Sequence, residues 1–139
     1  MESFNTELVI ELEKLHPNAR EFLDQSLRGG TQTRGSLFAL RNPLIEKLRR
    51  RLDEAIRCYI SELKGDAAHP MLAQRANNFA YSGSWSSRLN DSGFHVNHIH
   101  PEGWISSCYY AGVPDSVRDE NAKQGWIKFG EPAFGHGLN

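Results

Sequence analysis

The stretch "GFHVNHIHPEGWISSCYY", residues 93–110, decides how this sequence is read, because it packs three histidines into six positions ahead of a proline. The alternation of apolar and polar side chains predicts an extended strand. Along a strand, residues two apart point the same way, so Phe94, Val96, His98 and His100 share one face and His95, Asn97 and Ile99 the other. His98 and His100 then stand about 7 Å apart along the chain and can converge on one divalent metal; imidazole suits iron, zinc, copper and nickel. His95 is expected to point away. The same spacing also fits half-buried histidines satisfied by carbonyls or water, and His-x-His by itself does not choose between the two. Pro101 favours an extended His100, as at a strand end on the mouth of a barrel.

In the next run, Trp104, Ser106, Cys108 and Tyr110 fall on one face. Hydroxyls beside a metal can hold a carboxylate without adding charge, although Tyr109 and Tyr110 are equally good as plain strand-forming aromatics.

Working outward, residues 78–139 read as short alternating runs punctuated by Gly, Asn, Asp and Pro. "FAYSGSWSSRLN" is expected to be a strand, "LNDSGF" a hairpin turn, "GWISSCYYAGV" a third strand and "GWIKFGE" a fourth. The first 65 residues read differently. Leu8, Leu12 and Leu15 recur at helical spacing between Thr6 and His16, and Pro17 stops the pattern. Asn42 can cap a second helix, with Pro43 at its first position and an apolar stripe through Leu44, Leu48, Leu52, Ala55, Ile56, Tyr59, Ile60 and Leu63 that Gly65 closes. The layout is α+β, one domain over residues 1–139, with a helical buttress (1–65) expected to pack on a partial barrel (78–139).

A chain of 139 residues, 39% hydrophobic and 24% charged, suits one globular domain. A net charge of −1 gives no reason to expect nucleic acid or an anionic membrane as partner. The basic run "EKLRRRLDEAIR" is interleaved with acids, and Glu46–Arg50, Arg49–Asp53 and Arg50–Glu54 are expected to form an ion-paired, solvated face. Cys58 and Cys108 occupy unlike contexts and are expected to be reduced thiols. The start lacks a basic signal segment and no apolar run is long enough to span a bilayer, so a cytoplasmic location is expected.

These residues carry a resemblance. The stretch "SGSWSSRLNDSGFHVNHIHPEGWISSCYYAGVPD", followed by "QGWIKFGEPAF", resembles 2-oxoglutarate and Fe(II)-dependent oxygenases, distant relatives of the prolyl hydroxylases that often sit at the C-terminus of tetratricopeptide-repeat proteins. "DQSLRGGTQTRGSLF" resembles the segment before the barrel in that family, so the likeness runs over roughly residues 20–134. It implies a double-stranded β-helix (a jelly-roll barrel), with Fe(II) and the cosubstrate 2-oxoglutarate at one open end. It implies His98 and His100 as metal ligands. Tyr110, with Ser106 on the same face, is implied to hydrogen-bond the cosubstrate, and the substrate is a small molecule or protein side chain.

The sequence departs from the wider pattern twice. His100 stands where the superfamily has Asp or Glu, which leaves a metal one unit more positive and favours a dianionic cosubstrate; it also admits His100 as an outer partner rather than a ligand. No distal His or cosubstrate Arg follows, and His136, Glu131, His69 and His16 are the in-chain donors considered. A chain truncated before its last barrel strands, with exposed edges and poor solubility or self-association, is the expectation. Gln25, Ser26, Arg28, Thr31 and Gln32 around Gly29 and Gly30 read as a loop offering polar contacts, or simply a connector. Arg28 and Arg88 can contact an anion, with surface placement the plainer reading. Two rival functions are a non-catalytic metal-binding or interaction module and a cupin-type enzyme using three histidines.

Overall fold

A computed structural model describes residues 2–17 and 25–130. Their regular elements are helix α1 (Glu2–Glu13), strand β1 (Leu27–Gln32), helix α2 (Pro43–Glu62) and strand β2 (Ser87–His95), with short 3₁₀ turns at Leu37–Ala39, Leu72–Gln74 and Asp115–Arg118. The class is α+β. The described residues contain one two-stranded antiparallel sheet rather than a run of strands.

Helix α2 begins where local chemistry requires. The Asn42 side chain accepts hydrogen bonds from the backbone of Leu44 (2.9 Å) and Ile45 (3.3 Å), satisfying amides that have no partner inside the helix. Pro43 lacks an amide hydrogen at a position where none is needed. The other end of Asn42 donates to Glu11 of α1 at 2.8 Å, so one residue starts α2 and ties it to its neighbour. Phe4 and Leu8 of α1 and Leu48 of α2 form the buried cluster, with Leu12, Phe38, Leu44, Leu52 and Ala111 packed around it. Ile45, absent from the expected stripe, is fully buried, whereas Tyr59, a member of it, is half exposed. The stripe rests on α1 and the Leu37–Ala39 turn, not on the sheet.

The basic face of α2 differs from expectation. The expected pairs of Glu46, Arg49, Arg50, Asp53 and Glu54 are absent; the ion pairs among the described residues are Lys14–Glu11 and Arg118–Asp115. Several cations of α2 lie instead over aromatic rings: Arg51 is 4.1 Å and Lys47 5.2 Å from the centre of Phe4. Arg49 and Arg57 each lie 5.7 Å from a ring centre, Tyr81 and Phe79 respectively. A guanidinium gains more from a ring face that also covers apolar surface than from a solvated carboxylate.

The sheet corrects two expectations at once. "LRGGTQ", read as a loop, is β1, and "LNDSGF", read as a turn, lies inside β2. Thr31 pairs with Arg88 and Gly30 with Leu89, but Arg28 pairs with Phe94, so two steps along β1 face five along β2. The surplus residues form a bulge, with Ser92 in the left-handed region at φ 63°. Turn-forming residues thus bend a strand instead of reversing it. The glycines make this approach possible: a Cβ on Gly30 would strike the Arg88 carbonyl, and one on Gly93 the Gly29 carbonyl.

His16 joins α1 to the sheet. Its ring, buried with Thr31 and Ser86, bonds Thr31 Oγ1 through Nδ1 (2.8 Å) and Ser86 Oγ through Nε2 (3.0 Å). Both nitrogens are therefore engaged in packing, which removes His16 from the candidate metal donors. The runs expected as third and fourth strands, around residues 104–110 and 126–129, have no regular secondary structure and pair with no strand. Trp104 donates to the Met71 carbonyl (3.1 Å) and Tyr109 to Asn5 (2.5 Å), so this segment is laid across the helices by side chains rather than by strand pairing.

Candidate metal centre

Strand β2 ends at His95, and the residues that follow are irregular. The Val96 amide still reaches back to the Ser26 carbonyl (2.9 Å), after which the chain bends around Asn97. His98 and His100 consequently do not alternate along a strand. They meet face to edge, with ring centres 4.8 Å apart and planes at 85°. Their Nε2 atoms are 3.2 Å apart.

The tautomer of His98 is set by the backbone. Its Nδ1 lies 2.8 Å from the Val96 carbonyl, an acceptor only, so Nδ1 carries the proton and Nε2 keeps its lone pair. Histidine ligands in metal sites are oriented by this type of outer bond. Two nitrogens each about 2.1 Å from a common ion, at an angle between octahedral and tetrahedral values, would be separated by about the observed 3.2 Å. With His98 Nε2 as the acceptor, a neutral His100 protonated on Nε2 is the donor of the contact between the two rings. Desolvation, then the nearby His98, lower the pKa of His100 from 6.5, which favours the neutral, ligating form.

His95 does not point away. Its ring centre is 5.8 Å from that of His98, and its Nδ1 is 3.0 Å from Ser26 Oγ. Desolvation first, and then His98 and His100, hold its pKa below 6.5. The bend at Asn97 explains the error: strand periodicity applies only while the strand continues. Trp85 flanks the other side, its ring centre 5.5 Å from that of His100. Sequence reasoning did not place Trp85 beside the cluster and offered Ser26 only as a loop residue with polar contacts; the contacts Trp85–His100 and Ser26–His95 are non-local, and no signal in the sequence marks them.

Ser106 lines a groove against α2 with Leu52, Ile56, Tyr59 and Trp104. Tyr110 is half exposed, its phenol pKa raised by burial and then by Cys108. No contact among the described residues joins either to His98 or His100. Arg28 is turned to the backbone, donating to the Gln25 and Leu27 carbonyls (2.5 and 2.9 Å). Arg88 is exposed. His69 caps the turn at Leu72–Gln74, accepting from the Met71 and Leu72 amides at 3.2 Å each. Glu131 and His136 lie outside the described residues. Among the described residues no group of three His, Cys, Asp or Glu is arranged to hold a metal. Cys58 and Cys108 are free and exposed. No helix among the described residues is long and apolar enough to cross a membrane.

Residues 83–137 match the family model described as "Putative 2OG-Fe(II) oxygenase", which supports the resemblance over that stretch, including all three clustered histidines. No curated protein matches the chain, and no solved structure does.

Proposed function

We propose that the chain carries the iron-holding part of a non-haem Fe(II), 2-oxoglutarate-dependent oxygenase of the hydroxylase type, in a partial jelly-roll domain, with His98 and His100 as ligands. The observation that carries this reading is the convergence of their Nε2 atoms at 3.2 Å, with His98 Nδ1 anchored on Val96, inside the stretch that matches the oxygenase family. Two neutral imidazoles fit a borderline divalent ion such as Fe(II). When bound, iron with 2-oxoglutarate supplies the oxidising power for hydroxylating a C–H bond, leaving the protein to position the reactants.

In that role the Val96 carbonyl keeps His98 in the ligating tautomer, and Trp85 walls the His100 side with an apolar ring. An imidazole at position 100 in place of a carboxylate would make the bound ion more attractive to a dianionic cosubstrate. Tyr110, with Ser106, is proposed as the cosubstrate's hydrogen-bonding partner on the strength of the family resemblance.

The test is a titration of the full chain with Co(II), whose visible bands report imidazole coordination, followed by assay of succinate formed from 2-oxoglutarate with Fe(II). Wild-type protein is expected to bind one Co(II) and His98→Ala to lose at least tenfold in affinity. Equal binding by wild type and His98→Ala would refute the ligand assignment. A second reading, a metal-binding module without turnover, is favoured by the lack of a third ligand among the described residues; Co(II) binding without succinate formation would select it.

A further inference from the structure

A second concave site, sharing no residue with the histidine cluster, lies between α2 and the segment around residues 79–81. It is an open groove of about 500 Å³ lined by Phe38, Arg49, Asp53, Arg57, Phe79 and Tyr81. Its floor is aromatic: the Phe38 and Tyr81 rings meet edge to face at 4.8 Å, and Phe79 and Tyr81 at 5.6 Å. Arg49 and Arg57 line it, each 5.7 Å from a ring centre, Tyr81 and Phe79 respectively. Eight residues of helix separate them by about 12 Å.

Asp53, midway between the two arginines, is the obvious partner for both and pairs with neither. Its Oδ1 instead accepts the Tyr81 hydroxyl at 2.7 Å. Burial, and then that bond, raise the Tyr81 pKa, so the phenol stays a donor throughout the ordinary pH range. Two guanidiniums with no carboxylate of the described chain against them, held on rings and spaced along a trough, form a recognition surface for two anionic groups. The groove is open to solvent, whereas a small-molecule site encloses most of its ligand. A chain passing through suits it better. In an extended peptide, residues four apart are separated by about 13 Å, close to the separation of the Arg49 and Arg57 backbones along the helix.

We infer that this groove binds an extended acidic peptide, two carboxylate side chains four residues apart meeting Arg49 and Arg57 and an apolar residue between them packing on Phe79 and Tyr81. Asp53, which also lines the groove, can accept a backbone N–H of such a peptide through the oxygen that Tyr81 does not engage. The site is independent of the metal reading, since none of its residues belongs to the histidine cluster.

The experiment uses the full chain and a fluorescein-labelled peptide with glutamates at both ends of a five-residue core, phenylalanine at its centre and glycines between, read by fluorescence anisotropy. Saturable binding tighter than about 1 mM is expected, weakened about tenfold when both glutamates become glutamines. The double variant Arg49→Gln/Arg57→Gln should weaken it by a similar factor and keep the wild-type circular dichroism, because both side chains are exposed. Asp53→Asn, which retains the acceptor for Tyr81 but removes a negative charge, should tighten binding about threefold. Equal affinity for the glutamate and glutamine peptides, no loss in the double arginine variant, or free glutarate binding as tightly as the peptide would each overturn the inference.

Discussion

Replacing His16 by alanine tests the link between the helices and the sheet. The ring bonds two buried hydroxyls, Thr31 at 2.8 Å and Ser86 at 3.0 Å, and neither has much access to water. A net hydrogen bond contributes about 1 kcal/mol, and a buried group left without a partner costs about 1–3 kcal/mol. His16→Ala should therefore destabilise the fold by about 2–4 kcal/mol, measured by urea unfolding followed in the far ultraviolet. His16→Gln keeps one donor and one acceptor and should recover about half of that. Burial, and then the positive charge of Arg88, lower the His16 pKa from 6.5. A depressed folded pKa means that this residue's contribution is complete above pH 6.5 and is lost as pH falls through the folded value. Wild type should consequently lose stability below pH 6.5 more steeply than His16→Gln. A loss under about 0.5 kcal/mol in His16→Ala, or parallel pH profiles for wild type and His16→Gln, would refute the proposed role.

Three further outcomes follow from the geometry. Gly30→Ala places a methyl group against the Arg88 carbonyl, so the two strands must part; a loss of about 2–4 kcal/mol is expected in thermal melts, and a neutral variant would contradict the register. Arg51→Ala uncovers the face of Phe4 and should cost about 0.5–1 kcal/mol that added salt does little to screen, as urea unfolding at two salt concentrations would show. In a spectrophotometric titration of the folded chain, the Tyr81 phenol should ionise above the ordinary value of 10 because burial and Asp53 favour its protonated form. Its contribution to stability is present below pH 10 and disappears as pH rises beyond that, and Tyr81→Phe should remove this high-pH step from the titration.

Local chemistry was legible in the residues themselves. Asn42 followed by Pro43 starts a helix wherever it occurs before an apolar stripe, because the unsatisfied first-turn amides are a local problem with a local answer. The clustering of three histidines likewise marks the candidate site in the residues alone, and His98 and His100 do meet. The turn-rich "LNDSG" carried its information less faithfully. Asn, Asp, Ser and Gly state only that the backbone departs from regular extension, and a bulge inside β2 satisfies that as well as a hairpin. Charge patterning on α2 misled for a similar reason: helical spacing brings Arg49 near Asp53, but it knows nothing of Tyr81, which takes the carboxylate, or of the rings that take the guanidiniums.

By itself, then, the order of residues determined where helix α2 begins, that both thiols stay unpaired, and that imidazoles gather just ahead of Pro101. Only the tertiary structure decided that "LRGGTQ" pairs with a segment some sixty positions later, that His16 is a strut rather than a ligand, and that His95 leans toward His98. The physical reason is range. Caps and turns are settled by atoms within one helical turn, whereas strand partners, buried hydroxyls and converging rings depend on which distant surfaces exclude water together.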